Sequence, residues 1–434
     1  MKTRWLALCG LAVLALVFAG CENKEAPTGA AGTAGATNNE AVTVTIGMGE
    51  NGFLTEEEFD RYITSPVRKK TPWITVQPII YGEGANLPQL VAAGQTPDMV
   101  IHHNIGGMDK YIELGLTYPL TEMIKKHNMN LARFEPEVIA EVKASSRMDE
   151  LMAIPYTRHF SVLYYNKDIF DKFGVPYPKD GMTWDDAYDL AIKVTRREDN
   201  VQYRGLETNV IQRPASQLTL PYVDAQTNKA VINTDQWKKV LEMMVKIHLI
   251  PGNEQVIANA KANDLFVKDR TLAMFTTNNI LFTAHLDTAT NLNWDMASLP
   301  TWKEAPGLGF RLDQHMLSIT ATSKNKDADF LVISTVTSDE VQTDLTRQGR
   351  LSILQDPKIK DAFGADLAFL KGKNMKAIFA TKPAKAYVPT VYDDFGLLNT
   401  AMKDVVAKKK DVNTALREAE DKLNQKIKEQ MAAQ

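Results

Sequence analysis

The chain has 434 residues, 50 Lys and Arg against 53 Asp and Glu, and a formal net charge of −3. With no basic stripe and no interleaving of aromatics with Arg or Lys, this balance argues against a nucleic-acid partner. The 2 cysteines, Cys9 and Cys21, both fall near the N-terminus, so the rest of the chain carries no disulfide and no cysteine metal site, while its length suffices for two domains with adequate cores.

Lys2 and Arg4 precede an apolar run over residues 6–19, of signal-peptide length and too short for an ordinary spanning helix. It ends Phe18-Ala19-Gly20-Cys21. Small residues before a cysteine resemble a bacterial lipoprotein processing box, with Phe18 where Leu is usual. Residues 1–20 are expected to form a lipoprotein signal peptide and Cys21 to carry the lipid. A plain secretory signal with an incidental cysteine is the alternative. Residues 21–40 are polar, rich in Ala, Gly and Thr and without periodicity, as in a flexible tether.

Residues 42–47 alternate as a strand, 56–63 read as a helix, 73–80 as a strand, 87–93 as a helix closed by Gly94, and 97–101 as a strand. This order predicts a parallel sheet with right-handed crossovers. Ligands of such sheets bind beyond the carboxyl ends of the strands. Tyr81, Glu83 and Asn104 are therefore candidate ligand contacts. Adjacent His102 and His103 point to opposite faces of a strand and cannot readily share one ion, so no metal site is expected. One of them is expected to form hydrogen bonds at a cleft wall and the other to pack. A helix over 131–145 and a strand over 150–155 follow.

Residues 153–165 are rich in β-branched and aromatic side chains and read as a strand. A short helix over 168–173 closes at Gly174, and Thr183 caps a helix over 184–195 with apolar residues at helical spacing. The run "YYNK…F…G…P…TW" in this stretch resembles the crossover segment of extracellular solute-binding proteins of ABC importers, the carbohydrate-binding, maltodextrin-like group. "AAGQTPDMVI" at 92–101 and "LGLTYPLTEMI" at 114–124 match it too, as does "ITATSKNKDADFLVISTVTSDEVQTDLTRQGRLSIL" beginning at Ile319. Asp269 and Arg270 stand where the family usually has Gly-Lys. Leu351-Ser352-Ile353 replaces its small-residue and Pro step.

The resemblance implies an α/β, two-lobe periplasmic-binding-protein-like fold of type II, with hinge-connected lobes and a ligand cleft between them. Lobe 1 is expected to take residues 41–157 plus about 309–350. Lobe 2 takes 158–308 plus about 351–434. Within lobe 2, strands are expected over 202–207, 270–275 and 291–300, a hairpin over 221–234, and a helix after Thr234 whose Trp237 and methionines pack inward. Residues 276–279 open a further helix, where Asn278 offers a polar group. Trp302, in the loop TWKEAPGLG, is read as exposed and able either to stack on a pyranose face or to pack at the lobe edge. Residues 309–315 form the second hinge crossing. Residues 387–394 give an aromatic and acidic loop near the third. A terminal helix pair over 400–430 holds Lys408, Lys409 and Lys410 at its turn.

The function implied is capture of a solute outside the cell and its delivery to the transmembrane subunits of an ABC permease, with no enzymatic step and no cofactor. The expected solute is a mono- or oligosaccharide, the expected assembly a monomer held at the outer face of the membrane by Cys21, or periplasmic in a Gram-negative cell. Flat aromatics and hydrogen-bonding side chains suit a sugar, and the cleft loops offer Tyr81, Glu83, Asn104, Arg158, Asn278, Trp302, Arg311, Asp313, His315 and Tyr387. Arg158 is equally readable as a bridge between the two lobes through a carboxylate. Arg158 and Arg311 also leave room for a uronate. Alternatives are a carrier of a non-sugar solute such as a peptide, polyamine or other cation, a sensory lipoprotein, and an exported glycoside hydrolase. The last needs two carboxylates about 5–10 Å apart across a glycosidic bond, and the sequence carries no nucleophile elbow or zinc signature.

Overall fold

The computed structural model describes residues 40–49, 54–82, 86–104, 106–208, 210–256, 258–279 and 290–432. The leader, Cys21, the tether to residue 39, Glu83 and the helix expected to follow residue 279 lie outside them. The strands, in chain order, are β1 (Val42–Gly49), β2 (Ile74–Tyr81), β3 (Met99–His103) and β4 (Ile154–Arg158), then β5 (Ser161–Asn166), β6 (Arg196–Glu198), β7 (Val201–Thr208), β8 (Val223–Asp224) and β9 (Lys229–Ala230), then β10 (Leu272–Asn278), β11 (Trp294–Ala297), β12 (Leu308–Arg311), β13 (Gln314–Ile319) and β14 (Lys382–Ala384).

Two five-stranded sheets result, ordered β2-β1-β3-β13-β4 and β11-β5-β10-β7-β6. In the first, β1 runs parallel to β2 and β3, as the alternation of strands and helices predicts. β13 then inserts antiparallel between β3 and β4, so the sheet is mixed. The run 153–165 is not one strand. It breaks at His159 and Phe160, leaving β4 in the first sheet and β5 in the second. Residues 309–315 break likewise at Leu312 and Asp313, between β12 and β13. The carboxyl ends of β3 and β4 and the amino end of β13 therefore share one edge. In the second sheet the carboxyl end of β10 meets the start of β5, with Asn278 opposite Ser161.

The central strands of the second sheet are covered on both faces and read as near-continuous apolar runs, whereas β1, β2 and β6 keep exposed polar positions. β5 shows the period of two directly. Val162 and Tyr164 join a cluster with Phe275 and Trp294, while Leu163 and Tyr165 join another with Met274 and Trp237. The first sheet has its own core, built on Ile46, Val100, Ile101, Leu317 and Phe330. That core also takes Ile353, Leu354 and Ile359, expected in the second lobe. Leu351 and Leu370 belong to the outer core of the second sheet.

The helices start where their caps dictate. Thr183 accepts from the Asp186 backbone N–H, and the Asp186 carboxylate accepts from that of Thr183, so the helix Trp184–Val194 opens with a reciprocal cap. It buries Trp184, Ala187, Ala191 and Val194, whereas Ile192 is exposed. Gly174 closes the helix Lys167–Phe173 at a φ of +63°. Between the terminal helices Phe395–Val406 and Val412–Ala432, Lys409 pairs with Asp404, and Lys410 with Asp404 and Glu418. Among the described residues no helix is long and apolar enough to cross a membrane.

Gly205 lets the helix Trp184–Val194 lie directly on β7. A methyl group there would sit 2.3 Å from the Ala191 carbonyl oxygen and 2.3 Å from Thr195 Oγ1. The carbonyl belongs to the helix backbone and cannot rotate away. Gly205→Ala is therefore expected to destabilise the protein by about 1–3 kcal/mol, the usual cost of overpacking. A urea unfolding midpoint equal to the parent's would contradict the close approach.

Candidate functional site

The site forms where the chain crosses between the sheets, and the first two crossings are hydrogen-bonded to each other. The Arg158 N–H donates to the Leu351 carbonyl at 3.2 Å, and the His159 N–H to the Asp313 carbonyl at 2.7 Å. Asn104, at the end of β3, ties them further. Its Nδ2 donates to Glu141 at 3.0 Å and to the Leu312 carbonyl at 2.9 Å, and its Oδ1 accepts from the Gln314 N–H at 2.9 Å.

Glu141 lies on the helix Pro136–Ser146, against the first sheet, and is 1% exposed. It receives Arg311 from β12 in a forked pair, Nε at 2.9 and 3.0 Å and Nη2 at 2.5 Å. Arg311 is 8% exposed. Burial works against its charge and Glu141 outweighs that, holding the guanidinium above its ordinary range. The Arg311 guanidinium also stacks on the Tyr387 ring at 4.5 Å, so the ion pair fixes an aromatic wall.

Beside this wall is a cavity of about 370 Å³. Tyr222, Phe310, Tyr387 and Phe395 give it apolar faces, and Gln212, Ser216, Arg213, Asp313 and His103 give it polar ones. Phe395 meets Tyr222 edge-on at 4.9 Å, and Tyr222 meets Trp237 at 5.0 Å, so the aromatic side is braced by the second core. Arg213 stands on the short helix Gln212–Ser216, just past the carboxyl end of β7. Its ion-pair partner is Asp313 at 3.6 Å, beyond hydrogen-bond distance, and the two side chains are 22% and 19% exposed. The guanidinium makes no hydrogen bond among the described residues. Asp313 also lies 3.5 Å from His103 Nδ1. Burial opposes its ionisation, but His159, His103 and Arg213 hold the carboxyl well below its ordinary range.

Three histidines gather here. The His103 and His315 rings meet edge-on at 4.6 Å, as do those of His159 and His315. His159 Nε2 lies 2.9 Å from His315 Nε2. Among the described residues no group of three His, Cys, Asp or Glu side chains is placed to hold a metal ion. His102 turns inward instead, Nε2 at 2.7 Å from Ser318 Oγ and its ring stacked on Tyr111, while His103 faces the cavity.

Of the residues singled out by sequence, Arg311, Asp313 and Tyr387 line the cavity. His315 stands behind them, fully buried, and Asn278 reaches the cluster through His159 at 3.2 Å. Arg158 lines a neighbouring crevice and donates to Glu135 at 3.1 Å, but Glu135 follows Phe134 of the first core and Arg158 ends β4 of the first sheet, so the pair lies within one lobe and is not the bridge between lobes. Asn104 is inside the knot of the crossings. Tyr81 folds its hydroxyl over Gly47, where a methyl group would come within 2.1 Å of it. Trp302 is 3% exposed, not the surface side chain expected. It packs near Trp184 and donates its indole N–H to the Pro214 carbonyl at 2.9 Å, away from the cavity. Glu83 lies outside the described residues. Arg213, Tyr222, Phe310 and Phe395 were not singled out. Applying the carboxyl-end rule to β7 as well as to β1–β3 finds Arg213.

A model of the bacterial extracellular solute-binding protein family matches residues 58–343. The chain belongs to that family. Solved structures agree in fold across nearly the whole length of this solute-binding protein. An ABC substrate-binding protein from Listeria monocytogenes, in complex with cycloalternan, is 19% identical, with 89% of this chain and 98% of that chain covered at a TM-score of 0.69. A solute-binding protein of an ABC transporter from Thermotoga lettingae, bound with α-D-tagatose, is 18% identical, covering 90% and 100% at 0.67. The sugar-binding protein MalE from Xanthomonas citri is 16% identical, covering 90% and 99% at 0.69. The fold is the two-lobe, type II periplasmic-binding-protein architecture, and the cavity lies at its hinge.

The buried Arg311–Glu141 pair yields a prediction. Removing one member leaves the other charge desolvated and alone, at a cost of about 3–5 kcal/mol, whereas replacing both with apolar groups recovers much of it. Glu141→Leu should therefore be far less stable than Glu141→Leu combined with Arg311→Met, as measured by urea unfolding. Equal stabilities would show that the pair is not coupled.

Proposed function

We propose that this solute-binding protein captures a sugar, a mono- or oligosaccharide, in the cavity beside the hinge and delivers it to the transmembrane subunits of an ABC permease. One observation carries the reading. Arg213 and Asp313 stand 3.6 Å apart without a hydrogen bond between them, on a cavity otherwise walled by aromatic rings. A cation with spare donors beside an anion with spare acceptors suits adjacent hydroxyls, and the rings suit the apolar faces of pyranoses. The cycloalternan, tagatose and MalE relatives support the same solute class. A uronate is less well served than the sequence suggested, because Arg158 and Arg311 are occupied by Glu135 and Glu141, which leaves Arg213, among the described residues, as the arginine on the cavity that is not hydrogen-bonded to a carboxylate.

The reaction is binding and release, with no bond broken. Lobe 1 takes residues 41–157 and about 309–350, extended by the core residues Ile353, Leu354 and Ile359, and lobe 2 takes the rest of the body. The protein works as a monomer, held at the outer face of the membrane through a lipid on Cys21. Cys21→Ser should abolish incorporation of labelled fatty acid and release the protein from the membrane fraction. Labelling that persists would remove the anchor.

Calorimetric titration against neutral and acidic mono- and oligosaccharides, with peptides and polyamines as competitors, tests the solute class. A sugar at 100 times its Kd should add roughly 2.7 kcal/mol of stability. Arg213→Ala and Asp313→Asn should each weaken binding roughly ten- to hundredfold, the worth of a charge-assisted hydrogen bond. Binding confined to peptides or amines, or release of hydrolysis products, would overturn the proposal.

A further inference from the structure

The charges on the cavity can sort solutes by where they stand. Arg311 is committed to Glu141. Among the described residues lining the cavity, that leaves Arg213 and Asp313 as the full charges offered to a solute, 3.6 Å apart on side chains 22% and 19% exposed. At this spacing a solute group that reaches one of them is also within reach of the other. So little exposure leaves these interactions weakly screened by solvent and salt. Two further carboxylates near the aromatic wall are already engaged, Asp393 with Thr390 Oγ1 at 2.8 Å and with the Tyr387 hydroxyl at 3.4 Å, and Asp394 with Lys426.

Hydrogen-bonding capacity decides what such a pair accepts. A hydroxyl donates to the carboxylate and accepts from the guanidinium, so one or two hydroxyls satisfy both members. An ionised carboxylate can only accept. It suits Arg213 but meets Asp313 acceptor to acceptor, with like charges. An ammonium can only donate. It suits Asp313 but meets Arg213 donor to donor, again with like charges. Neither protein group escapes by changing its protonation. The guanidinium does not deprotonate. Burial opposes the ionisation of Asp313, yet His159, His103 and Arg213 hold its carboxyl well below the ordinary range.

We propose that Arg213 and Asp313 make the cavity selective for uncharged saccharides, Asp313 turning away uronates and Arg213 turning away amino sugars. This selectivity rests on the reading of the cavity as a sugar site, and adds to it the charge class of the solute and the residue that enforces each exclusion. Contacts built for the right partner and like-charge clashes built against the wrong one are the two routes to specificity, and this pair supplies both.

Matched trios test it. Glucose, galactose and mannose are each titrated beside the uronate and the amino sugar of the same configuration, and the corresponding disaccharides likewise. Calorimetry at about pH 6 keeps the uronate ionised and the amine protonated. The parent protein should bind the neutral member of a trio at least about tenfold more tightly than either charged member. Asp313→Asn should weaken the neutral member yet bind the uronate about tenfold more tightly than the parent does, and Arg213→Gln should do the same for the amino sugar. A merely structural role for either residue would lower all three members together.

A parent protein that binds the three members equally, or a charged member best, would overturn the selectivity while leaving the sugar site standing. Variants that lose all three members in proportion would do the same. Binding of no saccharide by the parent would instead remove the sugar reading, and the selectivity with it. Where a variant does not fold, the order of the three members on the parent protein decides.

Discussion

The buried Arg311–Glu141 pair is the constraint on which the site's geometry depends. Two opposite charges in a medium of low dielectric cannot be parted cheaply. Holding them together fixes a helix of the first lobe to the strand that leaves the second. Asn104 completes the knot by donating to the same carboxylate and to the Leu312 carbonyl while accepting from the Gln314 N–H. The end of β3, the helix Pro136–Ser146 and the β12–β13 crossing are thereby held at one point. Tyr387, stacked on the outer face of the Arg311 guanidinium, takes its place as the cavity wall from this arrangement.

The pair also decides which cations can meet a solute. A guanidinium already forked onto a buried carboxylate cannot turn toward a ligand without leaving that carboxylate uncompensated. Arg158 is held in the same way by Glu135, which Lys360 also reaches at 2.8 Å. Arg213 differs because, among the described residues, its anionic neighbour Asp313 lies beyond hydrogen-bond range, at 3.6 Å. Charge is therefore sorted by distance. Close pairs hold the hinge, and the loose pair faces the cavity.

Much of this fold is legible in the sequence because its determinants are local. Alternation along residues 42–47, the Thr183 cap and the glycine at 174 each act within a few residues, and each marks the element that forms there. What the sequence hides is set by contacts between distant residues. The run 153–165 has uniform strand composition, and only the exchange of partners from β13 to β10 and β11 reveals that it serves two sheets. Trp302 sits in a polar loop and reads as exposed, yet the Pro214 carbonyl and Trp184, both far away in sequence, bury it. Glu141 looks like an ordinary helix carboxylate until Arg311, 170 residues further on, arrives beside it. The site was half legible for the same reason. Residues of the hinge crossings could be found by their polar character between apolar strands, but the aromatic wall from Tyr222 and Phe395 comes together only once the second core is packed.

A two-lobe protein must keep its lobes in register while letting them move, and the crossings show how these demands are divided. The backbone bonds from Arg158 to Leu351 and from His159 to Asp313 act between the crossings themselves, so bending can be shared among them without parting one from another. Side-chain links that run from one lobe to the other are different, because they lengthen as the lobes separate. The Arg311–Glu141 pair sits close to the crossings, where the lever arm is short, and can survive such motion. The contacts of His159 with Asn278 and His315 lie beside the same crossing, since Asn278 is opposite Ser161, and are hydrogen bonds between side chains each worth only about 0.5–1.5 kcal/mol net. The charged pair is thus the link that is costly to part, and the neutral links beside it are the ones that part easily. A hinge built in this order can open without exposing an unpaired buried charge.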